Sequence, residues 1–286
     1  MPHKSEKLRG KNLIMTFIEA IKQRRSVRTF DTNKLTAEDI KKLKDFLPEA
    51  TNPYGIQVEF QLLDAKDHGL SSPVITGTDT YIAGKLARVP HAEEAFGYSF
   101  ERIVIYARSI GIGTTWIAGT MNRKAFENAM KLSENEVMPC VSPLGYEAKK
   151  MSFRETMMRK GVKADSRMAF EELFYENSFE TPLSKEKAGK LALPLELVRL
   201  APSAVNKQPW RCVLKDGIVH FYEKKSKGYE TADGWDLQKI DIGIAMCHFA
   251  LGASECGFKA GFSVNDPGLA LPENVAYIAS CALTEA

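Results

Sequence analysis

The sequence predicts an α+β chain of two related halves, packed face to face as a two-fold pseudo-dimer. Three observations predict it. Segments with apolar residues at helical spacing are interleaved with segments that read as strands. The order helix, helix, strand, long helix, strand occurs twice along the 286 residues. Sliding the sequence by 146 positions places Gly97 on Gly243, Ala107 on Ala253 and Gly111 on Gly257, each pair belonging to a long helix that runs into a glycine-containing turn. Two such halves in one chain can bury against each other the surface that a symmetric dimer would share.

The elements follow in order. IMTFIEAIKQ (14–23) is a helix that leads into RRSVRTF (24–30). DTNKLTAEDIKKLKDFL (31–47) is a second helix, with Thr36 as its cap and Glu38 and Asp39 loading the first turn. IQVEFQLLD (56–64) alternates as a strand, and 94–110 form a long helix stopped by Gly111. KAFENAMKL (124–132) is a short helix, and NEVMPCVSPLGY (135–146) a strand and turn. In the second half, 168–183 resembles the opening segment and 185–204 is helical until its proline. WRCVLKD and GIVHFYEKK (210–225) form a hairpin turning at Asp216-Gly217. A long helix at 240–258, KAGFSV and a last strand at 274–283 complete the chain. The halves are expected at 12–158 and 166–286, joined by a charged linker near 155–167 that has no apolar periodicity.

Composition narrows the function. With 39 basic and 36 acidic residues, a net charge of +3 makes no case for nucleic acid as a partner. Five cysteines form no CxxC pair and no metal-like spacing with the histidines, so buried reduced thiols and no metal site are expected. MPHKSEKLRGKN lacks the apolar run of a signal peptide, and no apolar stretch is long enough to span a membrane. A cytoplasmic protein without membrane partners is expected.

Two stretches stand out. RRSVRTF packs three arginines into five positions, which suits anion binding or a solvated helix end. APSAVNKQPW (201–210) sets four polar side chains between Pro202 and Pro209. Such a stiff loop can hold a planar polar ligand, or simply turn a helix into the strand at Trp210. GIGTTWIAG (111–119) can likewise be a glycine helix stop before a buried strand.

Occurring together, these three motifs resemble those of the nitroreductase-like flavin oxidoreductases, and IDIGIAMCHFALGA (240–253) resembles that family's long central helix. The resemblance runs from about residue 12 to the end. It implies a nitroreductase-like fold of two related three-layer halves, as in an internally duplicated single-chain subgroup. Family members build each FMN site from two subunits. Here the first half has the arginine motif but reads EATNPYGIQVEF (49–60) where its proline loop would stand. The second has the loop but reads ENSFETPL where its arginines would stand, and aligning Ser26 with Ser178 puts Glu180 opposite Arg28. An acid there repels phosphate, so one FMN site per chain is implied.

By this resemblance Arg24 and Ser26 contact the phosphate and ribityl chain, with Arg25 in the same region, and Arg28 lies near the pyrimidine edge of the flavin. Pro202, Ser203, Ala204, Asn206 and Gln208 line the ring. Ala118 and Gly119 face N5 and O4 through backbone N–H groups, and Ile117 beside them is also expected at the cofactor. Lys149 and Lys150 stand where the family places basic phosphate ligands, with Ser152 and Arg154 as competitors. No catalytic acid or nucleophile is needed, because the flavin carries the hydride and the protein positions and tunes it. NAD(P)H is the implied transient donor, and a nitroaromatic, quinone or similar small molecule the acceptor, in a ping-pong cycle. The alternative is a flavin-binding protein with little turnover, serving storage, sensing or flavin breakdown. A monomer is expected, and residues 66–92 are expected to border the substrate side. His91, His220 and His248 read as structural.

Overall fold

A computed structural model of the chain describes residues 15–231 and 234–285. The expected start at residue 12 lies outside the described residues. The first half contains α1 (Phe17–Gln23), α2 (Ala37–Phe46), β1 (Glu59–Asp64), α3 (Ala65–His68), β2 (Thr80–Ala87), α4 (Ala92–Ser109), β3 (Gly113–Thr114), α5 (Arg123–Ala129), β4 (Glu136–Val137) and β5 (Val141–Gly145). Helix α6 (Phe153–Gly161) connects it to the second half. That half contains α7 (Phe170–Leu173), β6 (Phe174–Glu176), α8 (Lys185–Ala188), α9 (Ala192–Leu200), β7 (Trp210–Lys215), β8 (Ile218–Lys224), α10 (Leu237–Glu255), β9 (Phe258–Ser263) and β10 (Val275–Glu285).

The duplication is visible in the sheets. The first runs β1-β2-β5-β3, with β4 also on β2; the second runs β6-β7-β8-β10-β9. Without β6 and β4 the two paths are identical, and every pairing along them is antiparallel. The β7–β8 turn is made by Asp216 and Gly217 with φ of 51° and 76°, the doubly left-handed turn that matches hairpin twist.

The two long helices α4 and α10 cross at the centre, and glycine sets their approach. A Cβ on Gly97 would stand 2.1 Å from the Ile240 carbonyl oxygen, and one on Gly243 would stand 2.1 Å from the Glu94 carbonyl oxygen. The two contacts are the same contact seen from either side of the pseudo-two-fold, and only glycine fits either. Each helix then stops at a left-handed glycine, Gly111 (φ 86°) and Gly257 (φ 79°). A polar cluster centred on the fully buried His248 and Glu101 ties the crossing. His248 Nε2 lies 2.9 Å from Glu101 Oε1 and His248 Nδ1 lies 2.9 Å from the Leu197 carbonyl oxygen. Trp116 Nε1 donates to Glu101 Oε2 at 2.9 Å.

Three expectations change. The charged linker is mostly helix: Ser152 caps α6 by accepting from the Glu155 N–H. Residues 66–92 contain β2, the strand to which β1, β4 and β5 all pair, and its buried stretch 81–86 is core rather than a border of the site. The helix expected through 185–204 is broken into α8, a short 3-10 turn and α9; Pro194 sits in the first turn of α9, where its missing N–H leaves nothing unsatisfied.

Candidate functional site

The arginine segment leaves α1 extended. Arg24 is the C-cap residue, and Val27 N–H donates to the Thr114 carbonyl at 2.9 Å, docking the segment along β3. Extended backbone alternates its faces, so Val27 is buried while Ser26 and Arg28 turn to a cavity between the halves. Across it stands the loop 202–206. Three residues there that are not glycine hold left-handed backbone or flank it closely: Val205 (φ 50°), Asn206 (φ 56°) and Gln208 (φ 50°). Each such residue costs on the order of 1–3 kcal/mol, so the surroundings must impose the shape. They do so with hydrogen bonds. Both Asp241 carboxylate oxygens accept from Ala204 N–H at 3.0 Å, and Ser203 Oγ accepts from Gln208 N–H at 2.8 Å. Gln208 Oε1 accepts from Met168 N–H at 2.9 Å.

The space enclosed has two adjoining parts. The larger, about 550 Å³, is lined by Arg28, Trp116, Ala118 and Gly119 from the first half and by Pro202, Ser203, Ala204 and Asp241 from the second. The smaller, about 380 Å³, shares Ser26, Arg28, Pro202 and Ser203 with it and continues between α1 and α6. Five guanidinium groups line this arm: Arg24, Arg25, Arg28, Arg159 and Arg167.

Within the arm Arg159 pairs with Asp165 and Arg167 donates to Ala164, Ser166 and Leu200 carbonyls, but Arg24 is left unsatisfied among the described residues. Arg24 is only 5% exposed, with Nε 3.9 Å from Glu101, yet its Nε and Nη2 have no hydrogen-bond partner. Burial pushes the Arg24 guanidinium below its ordinary value; Glu101 opposes this, and Arg108 and Arg159 reinforce it. Burial likewise depresses Arg28, against Glu155 and with Arg159, and depresses Arg167 with Arg24 and Arg199 adding to it. A guanidinium stays charged in proteins, so these shifts describe buried cations whose neighbouring carboxylates, Glu101, Glu155 and Asp165, do not offset the cost of burial. Arg25 differs, because it pairs with Glu155 at 2.5 Å and Glu147 at 3.3 Å. That pair, with Arg28 N–H donating to Glu155 Oε2 at 3.2 Å, fastens α6 over the arm and carries Arg159 with it.

The structure brings together most of the residues singled out in the sequence. Arg24, Arg25, Ser26, Arg28, Ala118, Gly119, Pro202, Ser203, Ala204 and Asn206 all line one part or the other. Space around Gly119 is open, with nothing within 4 Å of where a Cβ would stand. Ile117 does not line the cavity: its backbone pairs with Val141 in both directions at 2.9 Å, and its side chain packs in a separate core with Val141 and Phe126. Gln208 is 4% exposed and braces the loop from behind. Lys149 and Lys150 are exposed and line neither part, because the turn after β5 carries them outward. Arg159 and Arg167, which the sequence reading passed over, occupy the arm in their stead. Cys140 also lines the larger part, but burial pushes its thiol up to about 12, so it is no nucleophile. His91, His220 and His248 line neither part. Among the described residues no cluster could hold a metal ion, and no helix is long and apolar enough to cross a membrane.

The sequence model of the family described as "Putative TM nitroreductase" matches residues 16–253. Among solved structures, a Thermotoga maritima protein given as a "putative nitroreductase" is 19% identical, with a TM-score of 0.64 over 97% of this chain and 98% of its own. A nitroreductase family protein from Clostridium novyi is 21% identical over 46% of this chain and 87% of its own, with a TM-score of 0.40. An FMN-dependent nitroreductase from Clostridium difficile is 18% identical over 50% of this chain and 95% of its own, with a TM-score of 0.39. No curated protein matches the sequence.

Proposed function

The chain belongs to this nitroreductase family, and from that premise we propose that it is an FMN-dependent oxidoreductase, passing a hydride from NAD(P)H to a nitroaromatic, quinone or similar acceptor, with one FMN per chain. The observation that carries the reading is the arm of arginines beside a cavity of ligand size, lined by the buried Arg24, whose Nε and Nη2 have no hydrogen-bond partner among the described residues. A phosphate supplies acceptor oxygens to the Arg24 Nε and Nη2 and relieves the mutual repulsion of Arg24, Arg159 and Arg167. The residues present therefore fit the group.

When bound, FMN supplies two-electron hydride chemistry at its ring. The chain's own contributions follow from the geometry. Arg28, at the junction of the two parts, sets positive charge beside the cavity, where it favours an anionic reduced ring. The strained loop 202–206 offers a fixed wall, held by Asp241 and Ser203. Backbone at Ala118 and Gly119 forms the opposite wall.

A single site is supported by what stands at the counterpart positions, 146 residues away. Ile240, Ile244 and Trp116 line the cavity; their counterparts are Glu94, Tyr98 and Phe262, with Tyr98 and Phe262 packed edge to face at 6.1 Å. The test is the absorption spectrum of the purified protein and the flavin released on denaturation. A band at about 450 nm with about one FMN per chain is expected. NAD(P)H oxidation that depends on an added nitroaromatic or quinone is expected to follow. No flavin after FMN is added removes the reading, and bound flavin without turnover reduces it to a binding protein.

A further inference from the structure

The segment that joins the two halves also closes the arginine arm, and the way it is held there has a consequence for binding. A surface helix ordinarily buries an apolar stripe. In α6 the one buried side chain is a carboxylate, Glu155, while Phe153 and Met157 are 81% and 51% exposed. Apolar burial therefore contributes little to its seat, and polar contacts must do the holding.

Those contacts converge on the arginine segment. Glu155 Oε1 pairs with Arg25 Nη1 at 2.5 Å, and Oε2 accepts from Arg28 N–H at 3.2 Å. Ser152 N–H donates to Thr29 Oγ1 at 3.1 Å, and Arg154 donates to the Pro73 carbonyl beyond it. One turn on from Glu155, Arg159 enters the arm, where Arg24 and Arg167 both feel its charge. Asp165 pairs with Arg159, but its side chain is 83% exposed, where such a pair is worth little. Glu155 thus draws the helix in, and Arg159 pushes it away from two other cations. An anion in the arm reverses that second force, because it attracts Arg24 on one wall and Arg159 on the other at once. Binding that needs α6 in place must in turn hold α6 in place.

We propose that α6 is a clasp locked by the cofactor's phosphate: Glu155 is a positioning residue that seats the helix so that Arg159 completes the anion site, and the phosphate then holds the helix down. The ligand class that locks it is a phosphomonoester, and the flavin ring takes no part in the lock. The inference rests on the flavoenzyme reading for the source of the phosphate, but not for the clasp.

The test is limited trypsin digestion of the flavin-free full chain, read by mass spectrometry. Arg154, Arg159, Lys160 and Lys163 place cleavage points in and just after the helix. Cleavage there requires local opening and follows the population of the open form. Saturating FMN is expected to slow it about tenfold or more, and inorganic phosphate in excess to slow it as well. Saturating riboflavin, which has the ring and no phosphate, is expected to leave it unchanged. Glu155→Gln keeps the shape of the side chain and removes its charge. It is expected to speed cleavage of the flavin-free chain about tenfold and to weaken FMN about tenfold, with riboflavin affinity unchanged. Bound FMN that leaves cleavage unchanged overturns the proposal, and so does equal protection by riboflavin; neither comparison needs a variant to fold. Equal loss of both flavins in Glu155→Gln also overturns it, because Glu155 then serves folding in general. A chain that takes up no flavin but is protected by inorganic phosphate loses the flavin reading and keeps the clasp. A chain that takes up FMN without protection does the reverse.

Discussion

The two sides of the internal two-fold have kept the same frame and exchanged its lining. On one side Ile240, Ile244 and Trp116 face a chamber of about 550 Å³, and the loop across from them is propped open by Asp241. On the other side the corresponding loop folds onto itself: Asn52 Oδ1 accepts from Tyr54 N–H at 3.1 Å and Ile56 N–H at 3.3 Å. Its Tyr54 stacks on His91 at 5.0 Å and reaches Met246 Sδ at 3.7 Å. Glu94 is buried where the first side has Ile240. The difference teaches that the helix crossing and the strand order carry stability, whereas the lining at the crossing was free to diverge.

The largest effect is expected where the two sides are still alike. Gly97→Ala and Gly243→Ala each drive a methyl into a backbone carbonyl of the partner helix, and neither helix can shift without moving its sheet. Each is expected to lose about 3 kcal/mol or more in denaturant unfolding, the upper range for overpacking. Gly111→Ala and Gly257→Ala, at left-handed helix stops with open space around them, are expected to lose only about 1 kcal/mol. A silent Gly243→Ala beside a damaging Gly97→Ala would end the claim of an equivalent crossing.

Next comes a swap of charge between the sides. Arg28→Glu puts an acid among Arg24, Arg159 and Arg167 and is expected to weaken FMN binding about a thousandfold. Glu180→Arg, at the exposed counterpart, is expected to leave FMN affinity and stoichiometry unchanged. Full flavin content in Arg28→Glu would show that the site lies elsewhere.

How much of this could be read from the sequence depends on what each residue type does locally. The long helices, the hairpin at Asp216-Gly217 and the arginine and proline motifs were legible because periodicity and turn chemistry are local signals. Strand β2 was not: it is buried along nearly its whole length, so it lacks alternation, and Gly84 and Lys85 interrupt its apolar run. Lys149 and Lys150 were chosen by position in a motif, and position says nothing of the turn that sends them outward. Arg159 and Arg167 were hidden in a segment that looked like linker. A signal was present, since Ser152-x-x-Glu155 is the pattern of a helix start, and it would have set Arg159 one turn beyond Glu155 on the same face. What no local pattern could supply is the Arg25–Glu155 pair that seats the helix over the arm.

The arm makes a sharper prediction than flavin content alone. Arg24→Ala and Arg159→Ala are expected to cost roughly ten- to a hundredfold in FMN affinity, the worth of a charge-assisted contact or two. Riboflavin, which has the same ring and no phosphate, is expected to bind both variants as it binds the unmodified protein. Fluorescence titration with the two flavins reads this directly. Equal losses for both would move Arg24 and Arg159 from phosphate binding to general folding.

The smallest effect sharpens the comparison within the sheets. Glu59 pairs with Lys85 at the first position of the β1–β2 ladder, and Trp210 pairs with Glu223 at the first position of the β7–β8 ladder. Both Lys85 and Glu223 are buried, but among the described residues only Lys85 has salt-bridge partners. Burial alone would lower the Lys85 ammonium, yet Glu136 at 3.1 Å and Glu59 at 3.4 Å hold it above its usual value. Glu223 has no cation within salt-bridge reach among the described residues, and burial, with the charge of Asp236 and a shared proton between the two carboxyls adding to it, pushes the carboxyl up to about 8. The unfolded chain releases this proton at about 4.5, so between there and about 8 the folded state holds a proton the unfolded state has lost. Stability from this group is therefore complete below the lower value and falls as pH rises through the upper one. Glu223→Gln keeps the shape and removes the titration. Its melting temperature is expected to exceed that of the unmodified protein by about 3 °C or more at pH 8, with the gap closing towards pH 5. Parallel melting curves across that range would mean that Glu223 folds already charged, and that the second sheet, like the first, has a partner for its buried charge.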